Sequence, residues 1–398
     1  MSAQFDSDRA EKFVSEEWNS SCIPTLVDYI KIPNLSPTFD DEWATNGLQD
    51  QVVDLFVDWV KSKSVPGLSM EVVRLEGMTP VIFIEVEPTT DSPEDVGTVL
   101  MYGHMDKQPP FEGWEEGLGP YKPVIKDGKL FGRGGADDGY AIFAAVTAIR
   151  ALKEQNTPHG RIVLLVEAAE ESGSPHLPAY IKHLMPRIGT PNLVVCLDSG
   201  AGNYEQLWVT SSLRGVVFGT LKVEILTEGV HSGAASGIVP DSFRICRALL
   251  SRLENAETGE IIPPGLSVQL SDQRLAQSKA AAQRLGMAGM VGCFPFVTKS
   301  CKPVREDCVT QLALNRWWRP QLSIVGAAGL PSVSQSGNVL RPSTTLVLSL
   351  RIPPTLDKDD AIRVLNDTLL SDPPYGARVT FNVKKAGSGW SAPDLKPW

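Results

Sequence analysis

The sequence predicts an α/β fold with a mainly parallel sheet, followed by a smaller α+β domain. Two observations carry this. Short, continuously apolar runs, VIFIEV (81–86), TVLMYG (98–103), RIVLLVE (161–167) and NLVVCLD (192–198), alternate with helical stretches such as YAIFAAVTAIRALKEQ; strands buried on both faces between helices read this way. From about Arg214 the pattern changes to alternating strands and amphipathic helices in the order β-α-β-β-α-β, which suits a ferredoxin-like sandwich.

Taken in order, two helical patterns span Glu11 to Lys31 and Leu48 to Lys61, separated by the proline-containing IPNLSPTFDD. The four apolar runs and their helices follow. In the second regime GVVFGTLKVEIL is a strand, PDSFRICRALLSRLEN a helix, QLSIVGAAG and TTLVLSLRIP strands, DKDDAIRVLNDTLLSD a helix and ARVTFNVKKA a closing strand, with a long excursion over about 257–318. Trp317 and Trp318 at its end read as packing residues. The terminal GSGWSAPDLKPW has the composition of a linker. The expected divisions are therefore 1–214, 215–385 and a terminal stretch at 386–398.

Composition narrows the function. The 398 residues carry a formal net charge of -10, with 42% hydrophobic and 21% charged residues, an ordinary globular balance that argues against nucleic acid or an anionic membrane as partner. The N-terminus lacks a basic-then-apolar leader, and no apolar run approaches the roughly 18 residues of a membrane span, so a cytoplasmic protein is expected. Six cysteines, Cys22, Cys196, Cys246, Cys293, Cys301 and Cys308, have irregular spacing and no C-x-x-C pair. That fits reduced thiols, and any metal must then use nitrogen and oxygen donors.

In an open parallel sheet, ligands bind beyond the carboxyl ends of the strands. His104 and Asp106 follow VLMYG, Glu170 and Glu171 follow IVLLVE, Asp198 follows LVVCL, and Asp137 and Asp138 precede a helix. One imidazole and several carboxylates thus converge on one sheet edge. Such a crowd of negative charge needs a cation to stay ionised. The donor set suits Zn²⁺, Mn²⁺ or Co²⁺, and the lack of thiolate argues for an open, catalytic site. Asp106 is placed to accept the second ring N–H of His104, while Glu170 and Glu171 offer one base and one ligand. His159, His176 and His183 read as surface residues.

The motifs GHMDKQP, LFGRGGADDGY, EAAEESGS, CLDSG and GVHSGAASG, in this order over about residues 80–240, resemble the dizinc aminoacylase/carnosinase family of metallopeptidases. WVTSSLRG, NRWWRPQLSIVG, NVLRPSTTLVLSLRIPP and the long excursion make the chain most similar to the cytosolic carnosine (nonspecific) dipeptidase branch. The resemblance implies a catalytic domain and a lid/dimerisation domain, two divalent ions (Zn or Mn) and a homodimer paired through the lid. It implies His104, Asp137 and Asp198 on one ion, with Asp137 bridging to a second ion that Glu171 also binds. Glu170 is then the general base, Asp106 orients His104, and the Asp137–Asp138 peptide is cis. His231 of the lid serves the partner's site by stabilising the oxyanion, and Asn338 and Arg351 hold substrate.

The expected activity is hydrolysis of the amide bond of dipeptides or small peptides. An N-acyl-amino-acid amidohydrolase on the same scaffold, and an inactive homologue acting as a dimerisation partner, are the competing readings. The family's catalytic domain resumes after the lid with a late histidine for the second ion, and no histidine here matches it. The expectation is about one tightly bound ion and little activity for this chain as it stands.

Overall fold

The computed structural model describes residues 5–90, 97–305 and 307–393. The chain divides into two compact units, Met1–Gly200 and Ala201–Trp398. The division falls at the end of the CLDSG motif, inside the expected first domain.

The first unit contains strands β1 (Leu68–Val73), β2 (Val81–Val86), β3 (Thr98–His104), β4 (Val124–Lys126), β5 (Lys129–Phe131), β6 (Arg161–Glu167) and β7 (Leu193–Cys196). Five of them make one sheet in the order β1-β2-β6-β3-β7, with β4 and β5 a separate hairpin. β3 runs parallel to both β6 and β7, the three strands that lead into the site. β1 and β2 run antiparallel beside them. β1, LSMEVV, has no counterpart in the sequence reading, because its exposed Ser69 and Glu71 break the apolar run.

Helices cover both faces of this sheet, as the unbroken apolar strands require. On one face Phe56 and Trp59 of the helix Leu48–Ser62 and Phe143 of the helix Ala141–Glu154 pack with Ile82, Ile84 and Leu164. On the other, Tyr180, Leu184 and Ile188 of the helix Leu177–Ile188 pack on Phe83, Val163 and Leu165. The pattern over Glu11 to Lys31 is resolved into helices Ser7–Glu17 and Ile23–Ile30 joined through a wide turn at Trp18–Cys22. The run begins earlier than its periodicity indicated, because the Asp6 side chain accepts from the Arg9 N–H and caps the polar first turn.

The second unit holds β8 (Ser212–Leu213), β9 (Gly215–Glu224), β10 (Val230–His231), β11 (Gln321–Ala328), β12 (Val339–Leu340), β13 (Ser343–Ile352), β14 (Arg378–Gly387) and β15 (Trp390–Ser391). Its main sheet, ordered β11-β13-β9-β14, is antiparallel throughout. β13 lies between β9 and β11, and β9 lies between β13 and β14, so two β-α-β units interleave as in the ferredoxin-like arrangement. The helices Ser242–Leu253 and Lys358–Leu370 share one core with the sheet, built on Leu249, Leu365, Val217, Leu221 and Leu348. The excursion forms helices Asp272–Val291 and Val309–Trp317 around Ala282, Met290, Leu312 and Ala313. Trp317 packs against that cluster and Trp318 is buried.

The GSGWSAPDLKPW stretch departs from the linker reading. Its Trp390 and Ser391 pair with Leu213 and Ser212 as β15, and Arg274 donates to the Ala392 carbonyl. Extended residues beside an open strand edge complete its hydrogen bonds, a pairing that composition does not reveal. Residues 394–398 of that stretch lie outside the described residues.

Candidate metal centre

β3 ends in glycine and histidine because helix and strand meet there closely. A Cβ on Gly103 would lie 2.4 Å from the Cβ of Ala141 and 2.8 Å from Asp138 Oδ2, so no larger residue fits. The fully buried Asp138 uses that oxygen to accept the His104 backbone N–H at 3.1 Å. Burial in this position pushes its carboxyl up to about 8. Asp138 thereby locks the start of the helix Ala141–Glu154 onto the strand end, and the preceding peptide, Asp137–Asp138, is cis.

His104 sits at the centre, fully buried. Its Nε2 lies 3.2 Å from Asp137 Oδ1, 3.8 Å from Asp198 Oδ2 and 3.9 Å from Glu170 Oε2. One donor atom from each of His104, Asp137 and Asp198 falls within 4.8 Å of the others, the one such triad among the described residues. Burial pulls the imidazole pKa down, but the hydrogen bonds to Asp106 and Asp137 outweigh it and hold it up at about 11. The reverse acts on the carboxylates: burial raises Asp198 and Glu171 and pushes Glu170 up to about 7. Asp137, hydrogen-bonded to His104, is lowered.

Asp106 does more than the single role expected from spacing. His104 Nδ1 faces the Asp106 backbone carbonyl at 3.2 Å and its carboxylate at 3.4 Å. The same carboxylate accepts the backbone N–H groups of Glu170, at 3.1 Å, and Glu171, at 3.0 Å. One buried side chain therefore orients the imidazole and shapes the turn that carries both glutamates.

Three supporting residues were not singled out from the sequence, although each lies inside a quoted motif. Gln108 donates to Glu171 Oε2 at 2.5 Å, leaving Oε1 buried without a partner. Lys107 is fully buried; its ammonium donates to the carbonyls of Tyr29 (2.8 Å) and Ile32 (2.5 Å) and sits 3.7 Å from the centre of the Tyr29 ring. Tyr140 donates to the Leu197 carbonyl next to Asp198. The last two are contacts between segments far apart in sequence, which spacing cannot show.

The residues fit a divalent ion. A nitrogen and several carboxylate oxygens converge without thiolate, and Glu171 keeps an orphaned buried oxygen, a costly state that a cation relieves. The expected second-unit residues are grouped differently. His231 pairs with Val339 in the short β10–β12 ladder, and the Asn338 carbonyl accepts the Ser232 N–H at 3.0 Å, so His231 and Asn338 are neighbours. Arg351 stands near the far end of β13. All three are exposed within that unit.

Two of the remaining histidines are not surface residues. His159 is buried, with Nδ1 2.7 Å from the Gly160 carbonyl, and His176 is half-buried against Thr79 and Trp43. Their loop and helix-start positions hid the tertiary packing around them. His183 is exposed.

Comparison with known proteins identifies the family and the fold. The Beta-Ala-His dipeptidase of Homo sapiens is 28% identical over 70% of this chain and 54% of its own length. The Cys-Gly metallodipeptidase of Schizosaccharomyces pombe is 24% identical over 75% of this chain and 63% of its own. The chain thus spans between about half and two-thirds of these relatives. The solved structure of a di-peptidase from Saccharomyces cerevisiae, 21% identical, superposes with a TM-score of 0.66 over 99% of this chain and 82% of that one, which establishes the shared fold. Residues 100–366, more than half of the sequence, match the pattern of one family, and the residues of this centre lie within that range. The chain belongs to peptidase family M20/M25/M40.

Proposed function

We propose that this protein hydrolyses the amide bond of dipeptides or other small peptides, using a divalent metal. The observation that carries the reading is geometric: Glu170 Oε2 lies 3.9 Å from His104 Nε2, the nitrogen donor of the metal triad. A carboxylate base beside an open ion site is the arrangement that hydrolyses an amide with metal-activated water. His104, Asp137 and Asp198 would hold one ion, with Asp137 and Glu171 sharing a second; Zn²⁺ or Mn²⁺ suits the donors. The bound ion supplies Lewis-acid polarisation of the amide and acidifies water. Glu170 takes the proton of the attacking water and returns it to the leaving amine. Asp106 keeps the imidazole and the Glu170–Glu171 turn in register. On the family resemblance, His231 is assigned to the oxyanion and Asn338 and Arg351 to the substrate.

The same resemblance supports a homodimer formed through the second unit, where Ile324 and Val325 of the edge strand β11 are exposed. A cytoplasmic setting is consistent with six free cysteines, and no helix among the described residues is long and apolar enough to cross a membrane.

The test is a panel of dipeptides and N-acetyl amino acids assayed with Mn²⁺ or Zn²⁺. Slow but measurable hydrolysis of dipeptides, as one tightly held ion allows, abolished in Glu170→Ala with the circular dichroism spectrum unchanged, is the expected result. Unaltered turnover in that variant removes Glu170 from its role, and preference for the N-acetyl compounds replaces the peptidase with an amidohydrolase.

A further inference from the structure

The second unit gathers arginines where no acid answers them. Arg214 Nη1 donates to the backbone carbonyls of Asn315 at 3.0 Å and Arg319 at 3.2 Å, which places its head beside the end of the helix Val309–Trp317 that carries Arg316. Arg351, on β13, is paired in register with Val216 of β9 and Gln321 of β11. It therefore lies between the strand that follows Arg214 and the strand that follows Arg319. Burial, and the like charges of Arg351 and Arg316, push Arg214 down to about 10.

Among the described residues, none of these three guanidiniums is in an ion pair. Elsewhere in the unit Arg378 pairs with Glu224, Arg363 with Asp360 and Arg305 with Asp307; what distinguishes Arg214, Arg316 and Arg351 is that they stand close together. Three like charges held together, one of them half-buried, are unfavourable unless something neutralises them. Planar guanidinium forks fit the paired oxygens of carboxylates and phosphates.

We propose that Arg214, Arg316 and Arg351 form a binding site for a small oxyanion carrying two negative charges, either a dicarboxylate or a phosphate ester. A single substrate carboxylate, which the peptidase reading assigns to Arg351, offsets one of the three charges and leaves two. The site goes beyond that reading and stands on the second unit's own geometry, so a failure to hydrolyse peptides leaves it intact.

Titration calorimetry with succinate, inorganic phosphate and acetate, at matched ionic strength, tests it. The expected result is saturable binding of succinate or phosphate at least about tenfold tighter than acetate, weakened by about tenfold in Arg316→Gln and in Arg351→Gln. Both side chains are exposed, and circular dichroism checks that the variants fold. Tighter binding of succinate assigns a dicarboxylate ligand, and tighter binding of phosphate assigns a phosphate ester. Equal affinity for acetate, absence of saturable binding, or binding unchanged in both variants overturns the proposal.

Discussion

The side-chain amide of Gln108 donates to Glu171 at 2.5 Å, and the other oxygen of that carboxylate is buried without a partner. A glutamine four residues after the end of β3 thus decides where a glutamate on a different loop points. Removing it in Gln108→Ala is expected to weaken divalent-ion affinity by about 10–100-fold, the usual cost of losing a residue that orients a ligand. Competition with a chelator of known affinity measures this. Affinity within twofold of the parent would show that Glu171 is held by other means.

Asp106 is expected to be harder to replace than a surface acid. In Asp106→Ala the backbone N–H groups of Glu170 and Glu171 lose their acceptor, at a cost of about 1–3 kcal/mol for each buried donor left unpaired. Asp106→Asn keeps one acceptor oxygen and should fall between the two in urea unfolding. Equal stability of all three proteins would contradict the role assigned to this carboxylate.

Metal analysis after exhaustive dialysis bears on the first site directly. With imidazole and two carboxylates inside 4.8 Å, about one ion per chain is expected to be retained. His104→Ala removes the nitrogen donor and should retain far less. Full retention in that variant would place the ion elsewhere.

Acid stability should depend on Glu17. Its carboxylate lies 2.6 Å from both Lys63 and Arg150. Burial raises its pKa, but the hydrogen bonds to Lys63 and Arg150 outweigh this and hold it below the ordinary 4.5. A depressed folded-state pKa contributes stability that is complete above the unfolded value and lost as pH falls through the folded one. Glu17→Gln is therefore expected to destabilise by about 2 kcal/mol at pH 7 and by progressively less as pH falls below 4.5. A penalty independent of pH would point to packing alone.

Sequence by itself determined the strands buried on both faces, as unbroken apolar runs, and the strands and helices buried on one, as apolar periodicity, because each pattern records which faces meet a core. It also determined which chemical groups stand at the ends of β3, β6 and β7, since a parallel sheet presents its loops at one edge. One histidine and several carboxylates were therefore legible as a cluster before their distances were known, while the family resemblance singled out His104, Asp137 and Asp198 among them. What only the tertiary structure decided is how that set is held. The bonds that join Asp106 to the Glu170–Glu171 turn, Gln108 to Glu171, Lys107 to Tyr29 and Ile32, and Tyr140 to Leu197 link residues between 57 and 78 positions apart. Polar side chains carry no periodic signature of their partners, because a hydrogen bond depends on angle and distance in space. The same holds for Arg214, Arg316 and Arg351, which are unremarkable one by one and become a concentration of charge only when β9, β13 and the helix before β11 come together.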